Sequence, residues 1–312
     1  MNTDDRGLAQ ARRILAGLEL FAGLDEREFS LTRLGGLTNL VFRIDHGSQH
    51  YVLRVPGKGT EEYINRHHEA NAAREAARVQ VGPAVLLFDT QSGVMVSRLV
   101  EEAVTMTPRN FHSRPGAPGR AGAVMRRLHR SDAVFDFRFE LFSMIDEYLR
   151  VLAGKDTPLP SGYHELVGEA GAVRGALEAH ALPSAACHCD PLCENFLDVG
   201  ERMWMVDWEY SGMNDPLWDL GDLSVEGGFG PAQDEEMMQA YFGREARPAE
   251  RGRIVIYKAM CDLLWTLWGL IQHANKNPVD DFWAYALQRF ERCKALMATP
   301  DFSRHLAGVR GA

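Results

Sequence analysis

This chain has no excess of cationic charge: 34 Lys and Arg stand against 43 Asp and Glu, a formal net charge of −9, with a pI near 5.7. That balance argues against a protein that grips the phosphate backbone of nucleic acid. An acidic surface suits a cationic small molecule, although plain solubility accounts for it equally well. Cysteine is sparse and odd in number, five in all, which fits a reducing cytoplasm better than a disulfide framework. Cys187, His188, Cys189 and Cys193 crowd together, yet there is no CxxC pair and no second ligand cluster of matching spacing. They read as small buried thiols beside a loop and not as a metal knot. Met1-Asn2-Thr3-Asp4-Asp5-Arg6 has no basic stretch leading into an apolar run, so no secretory leader is expected there. The most apolar late stretch, Ile254 to Gln272, contains Lys258 and Asp262 and reads as a buried helix, not a membrane span. There is no GKS or GKT, hence no Walker A loop, and no repeat or low-complexity tract. These absences point to a cytoplasmic protein without a membrane span; a homodimer is compatible with them.

What is present is ordinary in bulk. The 312 residues are 46% hydrophobic and 25% charged, enough for one large domain or two lobes sharing a cleft. Residues 8 to 24 repeat Leu8, Ile14, Leu15, Leu18 and Phe21 at helical spacing. Strands follow at Ser30 to Leu34, Leu40 to Asp45 and Gln49 to Val55, with short links that imply antiparallel hairpins. A helix is expected from Thr60 to Gln80, with Glu61 and Glu62 in its first turn, then strands at Val85 to Phe88 and Val94 to Leu99. From Met106 helices dominate: Gly122 to Arg130, Arg138 to Leu152, Gly162 to His180, Gln233 to Phe242, Arg251 to His273 and Asp280 to Ala298. Ser113 to Gly122, rich in Gly and Pro, reads as a mobile loop between two units. Short strands are expected at Phe196 to Val199 and Met203 to Val206.

The chemistry concentrates in His188-Cys189-Asp190-Pro191-Leu192-Cys193-Glu194-Asn195, with Asp207 soon after at the end of an apolar strand. The spacing is a phosphoryl-transfer layout: Asp190 orients and deprotonates a hydroxyl, while Asn195 and Asp207 offer hard oxygen donors to magnesium on a nucleotide. His188 reads as holding the loop's backbone more than as moving protons. Gly35-Gly36-x-Thr38-Asn39 between two strands can bring backbone N–H groups close to phosphate oxygens. Arg54 at the end of a strand and Glu69 in the next helix can form a phosphate clamp, with Lys58 as an alternative contact and a surface ion pair as the plain alternative. Asp219 either braces the catalytic loop or caps a helix. Trp265 and Trp268 fall on one side of a helix, either as core or as an aromatic wall, because Asp262 and Thr266 suggest that this helix is not uniformly buried.

These residues together resemble the choline/ethanolamine kinases, within the aminoglycoside-phosphotransferase-like kinases. The resemblance runs from about Leu34 to Phe290. It is carried by His188-x-Asp190-x-x-x-x-Asn195 and Asp207, then by Val206-Asp207-Trp208-Glu209-Tyr210-Ser211-Gly212, Trp265-Thr266-Leu267-Trp268 and Tyr285-Ala286-Leu287-Gln288-Arg289-Phe290. It implies an α+β, two-lobed protein-kinase-like fold: residues 1–100 a nucleotide-binding lobe with a small antiparallel sheet, residues 101–312 a helical lobe. It implies ATP in the cleft near Ser97, Leu99 and Val100, with Mg2+ as cofactor. Asp190 would be the base, Asn195 and Asp207 the metal ligands, and Arg54 and Glu69 the clamp. A choline pocket would be formed by Tyr210, Glu226, Trp265, Trp268 and Tyr285. The chain departs from the eukaryotic pattern at Gly227-Gly228-Phe229-Gly230-Pro231, where more aromatic residues are expected and Phe229 is the ring on offer. Ethanolamine, thiamine or an aminoglycoside are alternative acceptors, and a non-catalytic choline-binding pseudokinase is a reading from another class. No Asp-Phe-Gly segment supports a protein kinase.

Overall fold

The computed structural model describes residues 3–24, 28–35, 39–57, 60 and 64–310. Alternating apolar residues build one five-stranded antiparallel sheet from β1 (Ser30–Gly35), β2 (Leu40–His46), β3 (Gln49–Val55), β4 (Val85–Phe88) and β5 (Met95–Arg98), in the order β1-β2-β3-β5-β4. Phe42 and Ile44 on β2, Leu53 and Val55 on β3, and Val96 on β5 turn to one face. There they meet Ala11 and Leu15 of α1 (Thr3–Gly17), which closes a small core.

α2 (Arg66–Arg78) starts six residues later than the sequence suggests. Asn65 is the reason: its side chain accepts from the backbone N–H of His67 at 3.0 Å and of His68 at 3.4 Å, and so fixes the helix start. Glu61 and Glu62 lie outside the described residues. Ala70, Ala72, Ala73 and Ala76 present a small-residue face to the interior.

The remainder is mostly helical: α3 (Pro108–Ser113), α4 (Ala117–His129), α5 (Leu141–Ala153), α6 (Tyr163–Ala179), α7 (Leu217–Glu226), α8 (Pro231–Phe242), α9 (Pro248–Ala274), α10 (Phe282–Met297) and α11 (Pro300–Arg310). Two small sheets interrupt it. β6 (Val104–Thr105), β8 (Phe196–Asp198) and β9 (Met203–Met205) form one, and β7 (Ala185–Cys187) pairs antiparallel with β10 (Gly212–Asn214). The expected α+β class is present, with the helices packed into a second, larger core.

Residues 113–122 are not a loop. Gly116 takes a left-handed conformation at φ +76° as the N-cap of α4, and Pro118 sits in that helix's first turn. Arg114 and Arg120 then pin this corner by donating to Asp198, both at 2.8 Å. α9 is long and apolar enough to cross a membrane by length and composition, but 78% of its apolar window is buried inside the protein. The polar residues on it are interior too: Asp262 is 3% exposed and Thr266 fully buried. Asp262 pairs with Arg289 and Arg292, and the Thr266 hydroxyl donates to the Asp262 carbonyl at 2.6 Å, so both are interior where the sequence suggested a helix not uniformly buried.

Candidate active site

The loop between β7 and β8 is held from below by α7. Asp219, fully buried, accepts from the backbone N–H of His188 at 2.7 Å and of Cys189 at 2.9 Å, and from His129 Nε2 at 2.9 Å. Trp218 Nε1 donates to the Cys189 carbonyl at 3.0 Å. These contacts grip a residue in an unfavourable conformation, since Cys189 has φ +68° without being glycine. Of the two readings of Asp219, the brace is what the structure contains. His188 points its Nε2 at the Val206 carbonyl, 2.8 Å away, and its ring lies against Trp208. It links the loop to the strand before Asp207, a positioning contact and not a proton-transfer one.

Asp190 is half-buried near the start of this loop. Burial, then Glu226, Asp207 and Glu209, push its carboxyl well above the usual range. Asn195, in a single 3-10 turn, donates from Nδ2 to the Asp190 carbonyl at 3.0 Å, which leaves its amide oxygen available as a ligand. Asp207 also has a positive φ, +68°. Burial raises its carboxyl above the ordinary value, a penalty that a bound cation would reverse. Oxygens of Glu69, Asp207 and Glu209 all lie within 4.8 Å of one another. Glu69 and Glu209 are engaged by Arg66, so Asp207 with the Asn195 amide oxygen is the hard donor pair of the kind that suits a divalent cation such as magnesium.

Arg54 ends β3 and is 4% exposed, with Glu69 at 1%. They form a buried ion pair, not a surface one, and Arg54 Nη1 also reaches Asp207 at 3.3 Å. Burial works against the guanidinium's charge, but Glu69 and Asp207 outweigh it. Two members of this network were not read from the sequence. Arg66 donates to Glu69 at 2.6 Å and reaches Glu209 at 3.4 Å. Glu209 also takes Asn39 Nδ2 at 3.5 Å, and burial together with Asp207 pushes its carboxyl up to about 7. Asn39 accepts the Gly57 N–H at 3.4 Å, so the strand after the Gly-rich turn is tied to the site. Gly35 ends β1 at φ +138°, a conformation that favours glycine. Gly36, Thr38 and Lys58 lie outside the described residues. Ser97 is buried on β5, and the Leu99 N–H donates to the His50 carbonyl at 3.2 Å.

α9 and α10 bring three aromatic rings together, and Tyr210, in the turn after Asp207, joins them. Tyr210 meets Trp265 edge-to-face with centroids 6.2 Å apart, Trp265 meets Trp268 at 6.1 Å, and Trp268 meets Tyr285 at 5.8 Å. Trp268 and Tyr285 stay half-buried, so the ladder has an open side. Phe282 extends it at 5.4 Å from Trp268. Phe229 does not join: it is buried against Phe111 at 5.3 Å, because the glycines around it let the chain fold its ring inward. Glu226 is close by but already engaged, accepting from Arg289 Nη2 at 2.7 Å. Arg289 stacks over Tyr285 at 4.7 Å and reaches Asp262 at 3.4 Å, and Arg292 pairs with Asp262 as well. Asp222, one helical turn before Glu226, is a further buried carboxylate that the sequence reading missed. The signal was there in the i, i+4 spacing, had α7 been read as a helix.

An antiparallel sheet over a helical unit, with a clamped carboxylate network beside an Asp-bearing loop, defines a small-molecule phosphotransferase of protein-kinase-like fold. Comparison with known proteins makes this specific: the chain belongs to the phosphotransferase enzyme family, whose model matches residues 30–254, and within it to the choline/ethanolamine kinases. It is similar to the crystal structure of a choline/ethanolamine kinase family protein from Mesorhizobium loti, with 66% identity, a TM-score of 0.91, and 98% of this chain and 100% of that one covered. It is also similar to the choline kinase LicA from Streptococcus pneumoniae, at 25% identity, TM-score 0.75, and 92% and 99% coverage. A structure of LicA in complex with AMP matches at 25% identity, TM-score 0.70, with 90% and 96% covered. Human ethanolamine kinase 2 is 27% identical over 288 residues, 82% of this chain and 73% of that one.

Proposed function

We propose that this enzyme transfers the γ-phosphate of ATP to the hydroxyl of choline, giving phosphocholine and ADP. The observation that carries this is the half-buried ladder Tyr210–Trp265–Trp268–Tyr285. Aromatic faces attract a quaternary ammonium by roughly 0.5–2 kcal/mol each. Several stacked carboxylates around an open cleft would suit an aminoglycoside better. The similarity to a choline kinase supports the same reading.

In this reading residues 1–100 hold the nucleotide and residues 101–312 the acceptor, with the adenine in the crevice beside Ser97, Leu99 and Val100. Gly35, Gly36, Thr38 and Asn39 cover the phosphates, and Arg54, held by Glu69, neutralises them. Asn195 and Asp207 would hold magnesium, which would supply charge stabilisation to the transferring phosphoryl group. Asp190 accepts the hydroxyl's proton as the oxygen attacks in line. The aromatic ladder orients the cationic head so that the hydroxyl points at Asp190. Transfer within the cytoplasm, by a monomer or a homodimer, belongs to the same proposal.

Ethanolamine is the second reading, favoured by the similarity to human ethanolamine kinase 2. An ADP-coupled assay with choline, ethanolamine, thiamine and an aminoglycoside in parallel separates these. Choline turned over with the highest kcat/KM supports the proposal; no turnover of any amino alcohol sinks it.

A further inference from the structure

α2 lies between β3 and β4 in the chain, yet its packing belongs elsewhere. The sheet closes its own small core with α1, whereas Ala72, Ala73 and Ala76 of α2 sit in the larger core of the helical unit. A polar stripe on α2 (His68, Asn71, Glu75 and Arg78) recurs at three- and four-residue spacing and so shares one face. The segment after α4 runs along that face. Arg78 donates to Asp132 at 2.9 Å, Glu75 accepts from the Val134 N–H at 3.4 Å, and Asn71 accepts from the Asp136 N–H at 3.1 Å. Asp136 also pairs with His68 at 2.9 Å. Every second residue of 132–136 thus meets a successive turn of the helix, as a strap would.

The C-terminal end of α2 is held by the same unit. Arg127 donates to the Val79 carbonyl at 2.9 Å and to Gln80 Oε1 at 2.6 Å, and Arg202 donates to the Gln80 carbonyl. These arginines supply partners to carbonyls at the helix end and grip Gln80, which has φ +59° without being glycine. The Val81 carbonyl then accepts from the Met205 N–H at 2.8 Å, and a Cβ on Gly82 would meet the Trp208 ring at 3.3 Å. Among the described residues, α2 reaches the sheet through Arg74, which donates to the Phe88 carbonyl at 3.5 Å, and through Glu69 with Arg54. We infer that α2 rides with the helical unit, and that Asn71 on the strap and Arg127 at the helix end are positioning residues for the nucleotide clamp. They set where Glu69 presents its carboxylate, and Arg54 comes to it from the sheet. The ion pair then spans the joint between the two cores, with Glu69 fixed relative to Asp207 independently of the sheet. This rests on the Arg54–Glu69 pair being the nucleotide clamp.

The test sets Asn71→Ala/Arg127→Ala, which removes one contact at each end of the docked helix, against Arg74→Ala, which removes a tie to the sheet. Each is made in wild type and in Glu69→Gln. The double variant is expected to raise the KM and the Kd for ATP with magnesium about fivefold, with the KM for choline unchanged and Arg74→Ala close to wild type. Asn71→Ala/Arg127→Lys, which retains one donor, should recover part of the loss. Arg127 holds α2 about 15 Å from Glu69, ten residues at a rise of about 1.5 Å, and substitutions that far apart normally add. Coupling is therefore the discriminating result: in Glu69→Gln the same two substitutions should change nucleotide affinity less than about twofold. A lowered urea midpoint with the KM for ATP unchanged would overturn the inference, since that is the mark of a merely structural contact. So would an undiminished loss in Glu69→Gln, or a loss from Arg74→Ala as large as that from the double variant. Should the double variant not fold, Arg127→Ala alone carries the same comparison. Glu69→Gln binding ATP as tightly as wild type is a separate outcome, which removes the clamp reading itself and this inference with it.

Discussion

Asp219→Ala is the perturbation that most directly tests how the catalytic loop is held. It removes three hydrogen bonds at 2.7–2.9 Å from a fully buried carboxylate. Two of the donors are backbone N–H groups inside the protein, and each one left without an acceptor costs about 1–3 kcal/mol. His129 loses its partner as well, keeping only Tyr241 at 3.0 Å. The sum is about 3–6 kcal/mol of stability, a large share of what a domain has. The loss also releases Cys189 from its positive φ, so Asp190 is expected to move by enough to lower kcat about 100-fold. Urea unfolding followed by tryptophan fluorescence gives the first number and ADP release the second. Asp219→Asn, which keeps one acceptor oxygen, should fall between wild type and Ala in both. A loss below about 1 kcal/mol with kcat within twofold of wild type would refute the reasoning, because the loop would then hold its shape without α7.

Arg54→Ala should leave Asp207 without its guanidinium and Glu69 with Arg66 alone, costing about 3 kcal/mol and raising the KM for ATP; Lys at this position restores charge but not the second nitrogen that reaches the Gly93 carbonyl. Urea midpoints and nucleotide titration check this. Trp265→Ala should raise the KM for choline about tenfold while leaving that for ATP unchanged, read from steady-state kinetics with each substrate varied. Glu250 supplies a pH signature: burial alone would raise its carboxyl, but hydrogen bonds from Arg244 and Arg247 outweigh it and hold it at about 2. A lowered carboxyl contributes stability above its unfolded value and loses it as pH falls. After allowance for solvent screening, wild type should exceed Glu250→Gln by about 1 kcal/mol at neutral pH, and the gap should close between about pH 4.5 and 2. A gap that stays constant over that range in acid unfolding would contradict the assignment.

The candidate constellation was legible as a cluster because it depends on local spacing. His188, Asp190 and Asn195 share one loop and Asp207 follows within a hairpin, so their proximity needs no knowledge of distant packing. The β2–β3 hairpin was legible for the same reason: Phe42, Ile44, Leu53 and Val55 alternate cleanly. The start of α2 was misplaced because acidic residues at 61 and 62 mimic a first turn, whereas Asn65 supplies the cap. α7 was not assigned from the sequence, although the capping reading of Asp219 implies a helix there. Gly221 is there for packing: a Cβ at that position would meet the Tyr257 Cβ at 2.8 Å and the Ile254 carbonyl at 3.0 Å, so α9 can approach closely. Without α7 as a helix, Asp222 and Glu226 could not be placed on one face. Nor could sequence alone show that Glu226 is taken by Arg289, which lies on a different helix 63 positions away. Strands as short as Ala185–Cys187 and Gly212–Asn214 carry no periodicity of their own and form only because they pair with each other.

The central claim is that Asp190 drives transfer of the γ-phosphate of ATP to a small cationic alcohol. Phosphorus NMR of the products formed from ATP and choline, with wild type and Asp190→Asn side by side, tests it most directly. Phosphocholine appearing in step with ADP, in a magnesium-dependent reaction that Asp190→Asn reduces by about 1,000-fold while still binding nucleotide, is the expected result. ADP released without any phosphorylated amino alcohol, or an Asp190→Asn variant as active as wild type, would contradict it.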